Sequence, residues 1–96
     1  MSVVIVGGND CMVPRYKAIC KEYQCKSKVF TQMTSTMKDQ IGNPDLVILF
    51  TNTVSHKMVY HALSGIKSKD TLIARSRSGS ASALKNILDL HIPKKS

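Results

Sequence analysis

Tryptophan is absent from this sequence, and three Tyr and two Phe are its only aromatic side chains. A chain so poor in rings has to build its core from aliphatic residues. It also lacks the interleaved aromatics on which single-stranded nucleic acid stacks. Acid is scarce: six Asp and Glu stand against fourteen Lys and Arg, which leaves few acid–base partners for catalysis. No apolar run approaches the roughly 20 residues of a membrane span. The opening "MSVVIVGG" has no basic stretch ahead of its apolar run, as a signal peptide would. The expectation is a soluble, cytoplasmic protein without a membrane partner. Cys11, Cys20 and Cys25 match no zinc spacing. Their odd number suits reduced thiols, of which buried free cysteine is the plain reading. Nucleotide signatures are missing as well. "GGNDCM" is not G-x-G-x-x-G, Asp10 stands where a pyrophosphate would lie, and no G-x-x-x-x-G-K-[ST] occurs.

What is present is an ordinary globular composition, 43% hydrophobic over 96 residues. One domain is expected over residues 1–92, with a basic tail at 93–96. The net charge of +8 attracts anions at long range. It is nevertheless spread from Lys17 to the tail rather than gathered in a stripe, as a solvated basic surface would be.

The elements alternate regularly. "VVIV", Val3 to Val6, is a β-branched run suited to a strand buried on both faces, and it breaks at Gly7-Gly8. A helix then carries Pro14 in its first turn, where a missing N–H costs nothing, with Tyr16, Ile19, Cys20 and Tyr23 inward. Lys28 to Thr31 reads as a short edge strand. Thr34 or Ser35 can cap a short helix through Met37 and Ile41, ended by Gly42 and Pro44. "LVILF", Leu46 to Phe50, predicts a central strand. Ser55 caps a helix with Val59, Ala62, Leu63 and Ile66 inward. Thr71 to Ala74 is the fourth strand, and a last helix turns Ala83, Leu84, Ile87 and Leu88 to the core. Right-handed crossovers between these units predict an α/β fold. It would be a small four-stranded parallel sheet of order 2-1-3-4, in a flavodoxin-like or Rossmann-like three-layer sandwich. So small a sheet leaves apolar surface to cover, and a homodimer is expected.

In open parallel sheets ligands bind beyond the carboxyl ends of the strands, where strand order reverses. Three polar loops leave that edge: "GGND", "TNTVSH" and "RSRSGSAS". The connections at the other edge, "YQCKSK", "IGNPD" and "SGIKSKD", look like plain turns. Each loop at the polar edge opens a helix, whose free N–H groups and partial positive charge suit an anion. The candidate binding residues are Gly7, Gly8, Asn9 and Asp10 in the first loop. Thr51, Asn52, Thr53 and Ser55 follow in the second, and Arg75, Arg77, Ser78, Gly79 and Ser80 in the third. His56 is the one side chain of this rim able to do more than hydrogen-bond, because an imidazole can ligate a metal or haem iron. Catalysis by His56 with Cys11 or Asp10 is the weaker reading. His61 and His91 look like paired ligands of nothing.

The segments "VVIVGGND", "RYK", "DLVILFTNTVSHKM" and "RSGSASAL" resemble a small bacterial family catalogued as a domain of unknown function (DUF2325). The similarity covers nearly the whole chain, although members carry Arg after GG-x-D where this chain has Cys11. The resemblance implies a Rossmann-like single domain, a homodimer, and haem as cofactor with His56 as ligand. Arg15, Arg75 and Arg77 can then pair with propionates, and Met12, Val54 and Met58 can supply apolar contact. The expected function is a non-catalytic small-molecule binding or sensing protein, most specifically for haem through His56. The alternative is a nucleic-acid- or nucleotide-binding regulatory module using the basic surface and the Ser/Gly-rich helix starts. It lacks a helix-turn-helix signature and a concentrated basic stripe.

Overall fold

The computed structural model describes residues 1–32, 37–67 and 70–92. Four parallel strands form one sheet in the order β2-β1-β3-β4: β1 (Ser2–Val6), β2 (Lys26–Phe30), β3 (Leu46–Phe50) and β4 (Leu72–Ser76). Between and after them run α1 (Val13–Glu22), α2 (Met37–Ile41), α3 (His56–Ser64) and α4 (Ala81–His91). This is the α/β, flavodoxin-like arrangement expected of the alternating pattern. Thr34 and Ser35, the expected caps of α2, and the tail at 93–96 lie outside the described residues.

The two inner strands read as unbroken apolar runs because both their faces are covered. Val3, Ile5, Leu46, Ile48 and Phe50 point to one side, where Tyr16, Ile19 and Cys20 of α1 and Leu84, Ile87 and Leu88 of α4 pack. Val4, Val6, Val47 and Leu49 point to the other, against Ile41 of α2 and Met58 and Ala62 of α3. Each such aliphatic side chain removed from water contributes about 1.5–3 kcal/mol.

The helix ends follow their sequence signals. Ser55 and Ser80 cap α3 and α4, their hydroxyls accepting from the N–H groups of Met58 and Ala83, each at 3.1 Å. Gly42 has φ of 64°, as the stop of α2 requires. Gln24, just past α1, also takes a left-handed conformation, with φ of 59°, at a position where glycine is the usual choice.

Three assignments differ from expectation, the first being β2, which runs Lys26–Phe30 rather than Lys28 to Thr31. In α3 the fully buried residues are Met58 and Ala62, while Val59, Leu63 and Ile66 are half-buried at the margin. The stripe is turned by one residue, about 100° around the axis. The fourth strand runs to Ser76 rather than stopping at Ala74. Arg75 therefore belongs to a strand and not to the loop beyond it. As an edge strand β4 buries only Ala74, leaving Leu72 48% and Ile73 46% exposed. The opposite edge, β2, shows Lys26 and Lys28 to solvent. No helix among the described residues is long and apolar enough to cross a membrane.

Candidate functional site

The carboxyl edge of the sheet is built by three loops, and the first two are tied together. Gly7 and Gly8 have φ of 101° and 87°, which only glycine adopts without strain. The Gly8 N–H donates to Thr53 Oγ1 at 2.6 Å, and the Thr53 hydroxyl itself donates to the Phe50 carbonyl at 3.0 Å. A Cβ on Gly7 would lie 2.7 Å from Val54 Cγ1. The crevice between β1 and β3 is thus closed by the protein's own side chains.

Tyr16 joins the first loop to the third. Its ring is fully buried, lies 5.5 Å from that of Phe50, and passes so close to Gly8 that a Cβ there would come within 2.5 Å of the hydroxyl. The hydroxyl donates to the Gly79 carbonyl at 2.5 Å. A buried tyrosine needs such a partner, and burial raises its pKa, with lesser opposing influence from the Asn9 backbone.

On either side of this seam lies a cavity. The first, about 380 Å³, opens on the α1/α4 side and is lined by Gly8, Asn9, Met12, Tyr16, Thr53, Gly79, Ser80 and Ala81. Its walls are mainly apolar, with the Ser80 cap and the start of α4 as the polar end. The second, about 330 Å³, lies on the α3 side and is lined by Thr51, Val54, His56, Val59 and Arg75. His56 is the first residue of α3, and Arg75 projects from the same face of the edge strand as Ile73.

The expected single rim is therefore divided. Gly8, Asn9, Met12, Thr53, Gly79 and Ser80 share the first cavity, and Thr51, His56 and Arg75 the second. The other candidates line neither. Gly7 is buried beneath Val54. Asp10 is engaged by the Thr31 hydroxyl and by Gln32 Nε2 at 3.3 Å, so it is not a partner for His56. Ser55 is occupied as a helix cap. Ser78 Oγ accepts from the Ser80 N–H at 3.2 Å, and the Ser78 carbonyl accepts from the Ser76 hydroxyl at 3.0 Å. Arg15, Asn52 and Arg77 are exposed. Met58 is 4% exposed in the core beneath α3, which removes it as an apolar contact for a ligand. Cys11 is exposed and shares neither cavity with His56. Among the described residues no three His, Cys, Asp or Glu are grouped to hold a metal ion.

The lining residues that the sequence reading missed are Tyr16 and Ala81 in the first cavity and Val59 in the second. Tyr16 recurs at helical spacing with Ile19 and so reads as plain core. Its hydroxyl, which has to find a partner when buried, was the available signal.

Fold and edge together define a small Rossmann-like α/β domain with paired cavities at the carboxyl ends of its strands. The chain belongs to the DUF2325 family, described as an uncharacterized protein conserved in bacteria, which it matches over residues 2–91. No curated protein and no solved structure matches it.

Proposed function

We propose that the protein is a non-catalytic binding or sensing module that takes a small anionic molecule at the carboxyl edge of its sheet. The specific form of this reading is haem held through His56. The observation that supports it is the company His56 keeps: one cavity combines an imidazole, a guanidinium from Arg75 and the apolar side chains of Val54 and Val59. These residues suit the group. His56 would ligate the iron through its imidazole, Arg75 would pair a propionate, and the two valines would offer contact to a macrocycle. Bound haem would supply redox or diatomic-gas chemistry. At about 330 Å³ the cavity is at the small end of ligand pockets, too small for one chain to cover a whole porphyrin. A homodimer belongs to this reading for that reason. A cytoplasmic location belongs to it because the three cysteines are free thiols.

The test is an absorbance titration with hemin of the wild type beside His56→Ala. Saturable one-site binding with a Soret shift that the variant lacks is the expected result. Identical spectra for the two proteins would refute histidine ligation.

A second reading, nucleotide or nucleic-acid binding, is favoured by the Ser80 cap and the α4 N-terminus at one end of the first cavity. The exposed Arg15, Arg75 and Arg77 add charge. It requires an affinity that falls steeply with salt as bound phosphates release counterions.

A further inference from the structure

The two edges of the sheet are unlike each other. In β4, Leu72 N–H donates to the Asp45 carbonyl and the Ser76 carbonyl accepts from Thr51 N–H. Residues 72, 74 and 76 therefore address β3, and by strand alternation the N–H and C=O groups of Ile73 and Arg75 point off the sheet. In β2 the same reasoning applies. Lys26 N–H donates to Met1 and the Phe30 carbonyl accepts from Gly7, so Ser27 and Val29 carry the outward groups. Yet β2 is flanked by the exposed Lys26 and Lys28, the usual guard against edge pairing. The β4 edge carries one charge, Arg75, against the two lysines of β2, and exposes Leu72 on one face and Ile73 on the other, at 48% and 46%.

The geometry points to β4 as a homodimer interface, in which the β4 strands of two copies pair antiparallel about a two-fold axis at Ala74 and complete the His56–Arg75 cavity. The strand is self-complementary in this register. Ile73 of each copy faces Arg75 of the other, and the four outward backbone groups of each strand meet their counterparts in hydrogen-bonded pairs. Ala74, the smallest side chain of the strand, meets its own copy at the closely spaced position on the axis. No like charges stand directly opposite, because each Arg75 faces an isoleucine and only a diagonal approach, about 7–8 Å, separates the two arginines. The contact is isologous and closes at two copies.

The occupant is a second copy rather than a foreign strand because the same pairing finishes the cavity. Arg75 lines that cavity from the edge strand, and Ile73 of the second copy arrives beside it on the same face of the sheet. The two Arg75 side chains then flank one shared space that attracts an anion. This completion of the cavity rests on the small-molecule reading above; the strand pairing itself does not.

Amide hydrogen exchange of the ligand-free protein tests the pairing. After correction for intrinsic rates, the outward amides of Ile73 and Arg75 are expected to exchange at least about tenfold more slowly than those of Ser27 and Val29. The difference should shrink on dilution. In Ile73→Lys, with the circular dichroism of the wild type retained, the protection at Arg75 should vanish. Exchange at 73 and 75 as fast as at 27 and 29, at the highest soluble concentration, would overturn the proposal. So would a dimer in sedimentation whose 73 and 75 amides stay unprotected. Since no ligand is present, a negative result leaves the His56 reading to stand on its own titration, and a failed hemin titration leaves the interface intact.

Discussion

Tyr16 Oη and the Gly79 carbonyl oxygen lie 2.5 Å apart, joining the first turn of α1 to the loop that opens α4. The hydroxyl is held over Gly8, where only hydrogen leaves room for it. Tyr16→Phe should keep the ring against Phe50 and orphan the carbonyl. The expected loss is about 1–3 kcal/mol in urea unfolding.

Gly8→Ala attacks the same seam from the other side. The added methyl would meet the tyrosine hydroxyl at 2.5 Å, on a backbone with φ of 87°. Overpacking costs about 1–3 kcal/mol, and the left-handed conformation adds about 1–2 kcal/mol. The denaturation midpoint of Gly8→Ala should fall below that of Tyr16→Phe.

Gln24 offers the opposite sign. With φ of 59° it bears a left-handed penalty of about 1–2 kcal/mol. Glycine would remove that penalty at an entropic cost of about 0.5–1 kcal/mol. Gln24→Gly should raise the denaturation midpoint modestly, and a lowered midpoint would contradict this account of the end of α1.

The alkaline limb of stability should be steep. Burial pushes the Cys20 thiol from 9.0 up to about 11. The hydrogen bond that Tyr23 donates to Asp89 Oδ1, at 2.5 Å, pushes its phenol from 10.0 up to about 12. Both folded-state values are raised, so the unfolded chain releases its protons first. The stabilisation is complete below the unfolded values and is lost as pH rises from about 9 to about 12. In unfolding followed against pH, Tyr23→Phe should flatten the upper part of that decline. Thiol alkylation on the native protein should follow exposure, with Cys11 first and Cys20 last.

Much of the fold was legible in the sequence. "VVIV" and "LVILF" are buried on both faces because they are the inner strands of a parallel sheet. Ser55 and Ser80 each stand one residue before a helix and cap it. The strand order followed from the alternation of elements. The register of α3 did not, because Met58 and Val59 are both apolar and a turn of one residue satisfies the same pattern. The β4 boundary was equally hidden, since an edge strand need not be apolar through its length.

The site was legible as an edge and not as a shape. The sequence placed three polar loops at the carboxyl ends, and they are there. Right-handed crossovers in the order 2-1-3-4 already place α1 and α3 on opposite faces; the face of α4, which enters no crossover, does not follow from them. The opposed placement of α1 and α3 puts Thr53 with Gly8 and turns His56, three residues on, toward Arg75.

The measurement that tests the central claim most directly is an amide correlation spectrum of the isotope-labelled protein with and without hemin, whose ferric iron broadens nearby signals. The account predicts losses centred on Thr51, Val54, His56, Val59 and Arg75, with Asn9, Gly79 and Ala81 across the seam retained and no effect in His56→Ala. Losses centred on the Tyr16 cavity instead, or the same losses in His56→Ala, would contradict it.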